Sequence, residues 1–381
     1  MSRDKTLQVL FGKRLVGTLA ETQSHKIAFA YTDEWLNDGF SISPFSLPLK
    51  KEVFVPAKDY FYGLFGVFAD SLPDAWGNLL LNRMLRQHGQ KPENLNALDR
   101  LAIVGSSGMG ALTYFPAKHF SYNQTGYDLD ELEEQCQKIL NTEYSDKLDE
   151  LYMLGGTSGG ARPKIMTQID GHSWIIKFPA HIDGCNAGKM EYEYALCAKE
   201  CGIDMPEVRL FPSEKCQGYF GIQRFDRAEE QGIEKRIHML TAAALLELDF
   251  EQPSLDYHSL MKLTKIITRD NTADIENMFR RMCFNVFAHN RDDHSKNFTF
   301  LYDQKTDQWH LSPAYDLTYS NTYYGEHTTT VDGNGRNPGP SELFAVGLKA
   351  GMQKQLCKTI IDEIQSCVTE RLKIYLLRMS R

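Results

Sequence analysis

The chain has 381 residues, with 42 Lys and Arg against 50 Asp and Glu, 42% apolar residues and 28 Gly, a balance typical of folded globular domains that excludes disordered, collagen-like and coiled-coil molecules. At about 100–200 residues per domain, the length predicts two domains, or one large domain with an appendage. The formal net charge of −8 argues against non-specific nucleic-acid binding through a broad basic face, though not against a local basic groove.

The longest strongly apolar stretch, around Leu240–Leu246, is interrupted by Thr241 and Glu247, far short of the roughly 20 apolar residues that a membrane span needs. The start, Met1-Ser-Arg-Asp-Lys-Thr, leads into strand-like Leu7–Phe11 without the apolar region and small-residue cleavage site of a secretory signal. Eight Cys are scattered with no Cys-x-x-Cys, and Cys197 and Cys201, four apart, read as one face of a helix rather than half a zinc site. Reduced thiols in a cytoplasmic protein are the expectation.

Residues 1–60 read as β-rich: Leu7–Phe11, a turn at Gly12-Lys13, Leu15–Leu19 and Lys26–Tyr31, then a Pro-punctuated segment to Pro56. Leu79, Leu80, Met84 and Leu85 at helical spacing predict a helix over Asn78–Gln87, with Pro73 suited to its start. A short helix over Asn96–Ile103 runs into Gly105-Ser-Ser-Gly-Met-Gly110, a tight turn before the strand Ala111–Phe115. Residues 128–150 carry nine acidic and two basic residues on helical Leu spacing and are read as a solvated helical connection. From Leu151 the pattern returns to strands and glycine, with Asp170-Gly171 between Lys164–Ile169 and Ser173–Phe178 as a hairpin signal. A helix over Glu191–Gly202 and strands at Val208–Phe211 and Tyr219–Phe225 follow. From about 237 the chain reads as helical, apart from a loop-rich stretch at 289–342. Strands first and helices afterwards predict an α+β layout of two lobes, and Trp35 and Trp76 are expected as core anchors.

Three segments offer chemistry. Gly155-Gly-Thr-Ser-Gly-Gly-Ala-Arg-Pro-Lys164 nearly fits P-loop spacing, but Ala161-Arg162 stands where Lys-Ser/Thr is required. It reads either as a plain turn or as a glycine loop that lays backbone N–H groups along a polyphosphate. Lys177, within Trp174-Ile-Ile-Lys-Phe178, lies one hairpin later, where a protein kinase holds ATP phosphates; the bland alternative is a lysine on a solvent face. Glu191, in preference to Glu193, is the candidate carboxylate that fixes this lysine.

The strongest segment is His289-Asn-Arg-Asp-Asp-His-Ser-Lys-Asn297 with Leu311-Ser-Pro-Ala-Tyr-Asp-Leu317. Phosphoryl transfer needs a carboxylate to orient the hydroxyl nucleophile and oxygen ligands for Mg²⁺. Asp292 and Asn297 are five apart, the separation of those two roles in protein kinases, and Asp316 follows nineteen after Asn297. Lys296 could neutralise the transferred group. Asp293 reads as a loop or capping residue. A transition-metal site on His289 and His294 is a minor alternative, as is a metal phosphohydrolase built on Asp292, Asp293 and His294.

With these residues in place, the sequence resembles the HipA-type serine/threonine kinases, the toxin half of bacterial toxin–antitoxin pairs, over nearly the whole chain. The first domain carries Gly39-Phe-Ser-Ile-Ser with Leu47-Pro-Leu, and Phe68-Ala-Asp-Ser-Leu-Pro-Asp-Ala-Trp-Gly77. The second carries Gly159-Gly-Ala-Arg-Pro-Lys164, Ile176-Lys-Phe-Pro179, Arg224-Phe-Asp-Arg227, Asn290-Arg-Asp-Asp-His-Ser-Lys-Asn297 and Pro313-Ala-Tyr-Asp-Leu317. The resemblance implies a small β-rich N-terminal domain (1–127) packed on a protein-kinase-like domain (151–381: an N-lobe-like part, 151–236, and a helical C-lobe, 237–381), with 128–150 as the acidic connection.

It implies Asp292 as catalytic base, Lys177 as ATP-binding lysine, Asn297 and Asp316 as Mg²⁺ ligands, and Gln223 and Phe225 as the hinge that receives adenine. Gly159, Gly160, Ala161, Arg162, Pro163 and Lys164 would cover the phosphates, with His294 and Lys296 lining the nucleotide site. Family members are silenced by autophosphorylation of a serine just ahead of the glycine loop. Here the corresponding position is Thr157, with Ser158 next to it, so either hydroxyl is a candidate. The implied substrates are aminoacyl-tRNA synthetases, and the implied partner is a small helix-turn-helix antitoxin that carries operator DNA binding. A non-catalytic nucleotide-binding component of an antitoxin–DNA repressor complex is the alternative.

Overall fold

The computed structural model describes residues 5–118, 128–180, 183–230, 232–249, 252–322 and 324–379. The chain divides into two compact units. One comprises Met1–Gly188, Leu210–Leu240 and Ala244–Glu247; the other comprises Lys189–Arg209, Thr241–Ala243 and Leu248–Arg381.

The first unit opens with strands Thr6–Phe11 (β1), Arg14–Glu21 (β2) and Ile27–Tyr31 (β3), then helix Asp33–Asp38 (α1) and the short strand Val53–Phe54 (β4). Helices Gly66–Ala69 (α2), Ala75–Gln87 (α3) and Ala97–Val104 (α4) precede strand Leu112–Phe115 (β5), and the sheet runs β4-β3-β2-β1-β5. Alternation in β1 turns Leu7 and Val9 inward. Thr32 caps α1 by accepting from the Trp35 amide, and Trp35 is buried with its indole N–H on the Phe40 carbonyl at 2.9 Å. Asn96 and Asp99 open α4 as a reciprocal capping box.

The same unit continues with helices Leu129–Leu140 (α5) and Leu148–Gly155 (α6) and the hairpin Lys164–Ile169 (β6) and His172–Lys177 (β7). Its turn places Asp170 at φ 53° and Gly171 at φ 79°, the left-handed pair that two-residue hairpins require. After helix Ala187–Glu200 (α7) come Val208–Phe211 (β8) and Tyr219–Gln223 (β9), in a sheet ordered β6-β7-β9-β8. Arg227–Glu230 (β10) and Ile233–Arg236 (β11) pair as a hairpin, before strand His238–Thr241 (β12) and helix Ala242–Leu246 (α8). Trp76, Leu80 and Leu85 of α3 share one buried cluster with Leu132 and Ile139 of α5, Leu148 and Leu151 of α6, and Ile165 and Trp174 of the hairpin.

This core differs from the expected organisation. Residues 128–150 are not a solvated connection: the acidic side chains leave one apolar stripe, and it is buried. Lys215 also bonds the Asp130 carbonyl at 2.8 Å and Glu134 at 3.2 Å. Leu151 to Gly155 are helical rather than strand, because Leu148, Leu151 and Leu154 fall on one buried face. The expected boundary at 127 lies outside the described residues, as do the first four residues of the chain.

In the second unit, α7 is joined by helices Tyr257–Ile267 (α9) and Thr272–Phe287 (α10), the hairpin Thr299–Asp303 (β13) and Gln308–Leu311 (β14), and helices Pro340–Lys349 (α11), Lys354–Arg371 (α12) and Lys373–Met379 (α13). Leu260, Met278, Phe279, Met282, Val346 and Ile360 are buried. A Cβ at Gly347 would lie 2.6 Å from Cys357 Sγ and 2.8 Å from the Phe279 ring, so glycine lets α11 approach closely. The β13–β14 hairpin falls within the stretch read as loop-rich. Among the described residues, no helix is long and apolar enough to cross a membrane.

Candidate functional site

In the first unit, the glycine loop leaves the C-terminus of α6 and enters β6. Gly160 has φ 89°, a left-handed backbone that favours glycine, and a Cβ there would have only the movable Lys164 ammonium to displace, at 2.7 Å. The loop is held by the start of α3: the Gly160 N–H donates to Asp74 Oδ2 at 2.9 Å, and the Trp76 N–H donates to the Gly160 carbonyl at 3.3 Å. Asp74 occupies the N-cap position of α3 without capping it, and its carboxylate serves the loop. Lys164, buried, donates to the Gly159 carbonyl. Arg162 forms a bidentate pair with Asp183 at 2.7 and 2.8 Å. Burial raises the Asp183 carboxyl, but Arg162 and the Ala180 N–H outweigh it, and the pKa falls below the ordinary value. The Pro163 carbonyl accepts from the Phe178 amide at 2.9 Å.

Thr157 and Ser158 are both buried. Thr157 Oγ1 donates to the Ser107 carbonyl at 2.7 Å and Ser158 Oγ to the Gly155 carbonyl at 2.6 Å.

Lys164 and Lys177 are direct partners across β6 and β7, and Lys177 Nζ lies 5.6 Å from the Phe220 ring centroid. Gln223 closes β9 opposite Trp174, and half-buried Phe225 follows.

Around them the Arg224-Phe-Asp-Arg227 motif is a structural knot. Asp226 is fully buried, paired with Arg224 twice at 2.9 Å and with Arg227 at 2.7 Å, and it accepts from the Gly110 N–H at 2.7 Å. Burial alone would raise its carboxyl; the two guanidiniums hold it far below the usual range. Burial in turn pushes Arg227 down to about 10. Arg227 and Arg236 donate to the Gly108 and Gly110 carbonyls, and Arg236 also donates to the Ser106 carbonyl. The Gly105–Gly110 run, expected as a plain turn, is a set of carbonyls gathered on arginines.

In the second unit, α10 ends at Ala288 and the polar loop begins at His289, whose φ is 53°. Burial and the neighbouring Arg291 push the His289 pKa down. Adjacent carboxylates then part company. Asp292 is exposed, and its backbone carbonyl accepts from Asn297 Nδ2 at 2.7 Å. Asp293 is buried, accepting from Tyr257 OH at 2.9 Å and the Thr329 N–H at 3.1 Å, with His327 Nδ1 at 2.9 Å. His294 Nδ1 accepts from the Lys296 N–H at 3.2 Å, and the Lys296 carbonyl accepts from Tyr315 OH.

Asp316 has φ 53°, and its carbonyl accepts from Asn290 Nδ2 at 3.2 Å. Glu191 on α7 is buried, while Glu193 accepts from Tyr375 OH at 2.7 Å. That contact gives Glu193 a structural role. Among the described residues, the group of three clustered metal-ligating side chains is Cys197, Cys201 and Cys367, not the histidines of this loop.

The predicted residues thus fall into two sets. Thr157, Ser158, Gly159–Lys164, Lys177, Gln223 and Phe225 belong to the first unit; Glu191, Asp292, His294, Lys296, Asn297 and Asp316 belong to the second. Sequence reasoning missed Asp74 and the Tyr257–His327 brace on Asp293, because nothing in local spacing ties residue 74 to 160, or 257 and 327 to 293.

The sequence matches the HipA-like C-terminal domain family over residues 156–372 and the HipA N-terminal domain family over residues 7–115. Two kinase-named proteins of Sinorhizobium fredii are similar: Y4dM, 25% identical over 342 residues (83% of this chain, 78% of that one), and Y4mE, 26% identical over 351 residues (84% and 78%). Among solved structures, the HipA of Shewanella oneidensis MR-1, in complex with HipB and operator DNA, superposes with a TM-score of 0.71 at 18% identity, covering 97% of this chain and 91% of that one.

Proposed function

Because the chain belongs to the HipA-like family, we propose that it is an ATP- and Mg²⁺-dependent protein serine/threonine kinase of the toxin type, acting in the cytoplasm. The observation that carries this reading is the loop after α10: an exposed Asp292 whose carbonyl is tied to Asn297, set on a buried and fully braced Asp293. A rigid loop presenting one exposed carboxylate suits a group that must accept or orient a hydroxyl proton.

The donors fit the nucleotide. The Asn297 amide nitrogen is spent on Asp292, which leaves its carboxamide oxygen as the ligating atom; with the Asp316 carboxylate it makes the hard oxygen set that Mg²⁺ takes. Bound Mg²⁺–ATP supplies the phosphoryl group and spreads its charge. On the first unit, Lys177 would position the phosphates, Gly159–Lys164 would cover them, and Gln223 and Phe225 would receive the adenine; on the second, His294 and Lys296 would serve the nucleotide and Glu191 would be the supporting carboxylate. The acceptor is a hydroxyl of a protein, with aminoacyl-tRNA synthetases the class that the family resemblance suggests.

Phosphate on Thr157 or Ser158 would convert a buried donor into a charged acceptor facing a backbone carbonyl. That is incompatible with the present position of the loop, and supports autophosphorylation as the off-switch. The HipB and operator DNA in the Shewanella complex support a helix-turn-helix antitoxin as partner, with DNA held through it.

The test is transfer from labelled ATP. Asp292→Ala is expected to lose at least the roughly 10²–10⁴-fold that a general base contributes while unfolding at the wild-type temperature. Full labelling by that folded variant would sink the assignment; nucleotide binding by wild type without any transfer would favour the non-catalytic component instead.

A further inference from the structure

We propose that Cys197, Cys201 and Cys367 form a three-thiolate binding site for a thiophilic metal ion, Zn(II) or Cu(I). Cys197 lies in the last turn of α7, Cys201 follows just past its end with its N–H on the Cys197 carbonyl at 2.9 Å, and Cys367 approaches from α12. The three Sγ atoms lie within 4.8 Å of one another, with Cys197 and Cys367 4.0 Å apart. An ion about 2.3 Å from each sulfur sets sulfurs about 3.8 to 4.0 Å from one another, in tetrahedral or trigonal geometry. The trio therefore needs less than about 1 Å of adjustment to close on an ion, whereas a disulfide would need two sulfurs to close to about 2.0 Å.

The donor chemistry selects the ion class. Three thiolates with no carboxylate or imidazole in the group suit soft cations and not Mg²⁺ or Ca²⁺. Binding releases the thiol protons as three metal–sulfur bonds form. Cys197 and Cys201 are buried and Cys367 is half-buried, so the site is shielded from water and entered past Cys367. The helices are already aligned for it: Arg371, one turn beyond Cys367, makes two 2.6 Å bonds to Glu200, one turn beyond Cys197. An ion here staples α7, which carries Glu191, to α12.

The full chain, reduced and stripped with chelator, is titrated with Cd(II) as spectroscopic probe, then with Zn(II) and Cu(I) against chromophoric chelators. One equivalent per chain, a sulfur-to-metal charge-transfer band and a raised Tm are expected. Cys367→Ser, at a half-buried position that tolerates the change, is expected to weaken binding by more than the roughly 10–100-fold that loss of an outer partner costs. Cys185→Ser, at an exposed cysteine outside the trio, is expected to change nothing. No band in the wild type, unchanged uptake by Cys367→Ser, or a Cys197–Cys367 disulfide forming without metal uptake would each overturn the proposal.

Discussion

Two adjacent carboxylates, Asp292 and Asp293, show how environment separates chemistry from architecture. The exposed Asp292 can be removed with a stability change within about 0.5 kcal/mol, as for surface positions generally. Asp293→Ala would leave Tyr257 OH, the Thr329 amide and His327 unmatched in the interior, at roughly 2–4 kcal/mol for several orphaned polar groups. Urea unfolding of the two variants is expected to separate them accordingly, and equal midpoints would refute the division of labour.

His238 makes a second residue-scale case. Burial pushes its pKa down to about 4, although its ring bonds the Ile42 carbonyl at 2.8 Å. The unfolded imidazole takes its proton near pH 6.5, so between about 6.5 and 4 the unfolded chain binds more protons. Stability from this group is therefore intact above 6.5 and falls as pH drops towards 4, by about 3 kcal/mol in all. His238→Gln is expected to flatten the fall in urea midpoint between pH 7 and 5; an unchanged slope would place the sensitivity elsewhere. Neither His238 nor the brace on Asp293 was legible beforehand. The Asp292–Asn297 spacing was, because five residues of one loop can be read locally.

At the scale of elements, α3 is the clearest link between a sequence motif and the site. The Pro73-Asp-Ala-Trp-Gly77 run was legible as a helix start, yet its physical purpose lies eighty residues on. Asp74 takes the Gly160 N–H, and a Cβ at Gly77 would lie 2.1 Å from the Gly156 carbonyl, so glycine allows α3 to sit against the root of the loop. Asp74→Ala removes a hydrogen bond to a charged acceptor, worth about 1.5 kcal/mol at the low end. It is expected to raise KM for ATP roughly tenfold with kcat little changed; a fall in kcat at constant KM would show that Asp74 does not act through the loop. The β6–β7 hairpin was legible because Asp170-Gly171 fixes both turn residues in the left-handed region. The β10–β11 hairpin was not: Glu229, Glu230, Glu234 and Lys235 give it no apolar alternation, and the arginine contacts at its ends are long-range. In α5 the helical period was legible and the burial was not, since acidic neighbours masked the stripe of Leu132, Cys136 and Ile139.

For the whole molecule, the net charge of −8 bears on how a HipA-like chain would take part in a DNA complex. Duplex affinity comes largely from cations that displace counterions from phosphates, and it falls steeply with salt. In the glycine-loop half of the chain, many arginines are already committed: Arg224 and Arg227 to Asp226, Arg236 to carbonyls of 106–110, and Arg162 to Asp183. A nucleotide, as proposed above, would need only a few local cations such as Lys164 and Lys177, whereas a duplex needs a broad cationic face. At about 0.15 M salt, where charges farther apart than about 8 Å are largely screened, the purified chain alone is expected not to retard DNA from upstream of its own gene. Adding the helix-turn-helix antitoxin proposed as its partner should restore retardation, with a salt slope set by that partner's cations. Retardation by the chain alone at that salt would mean that it carries a basic surface of its own, and that DNA contact is not delegated to the partner.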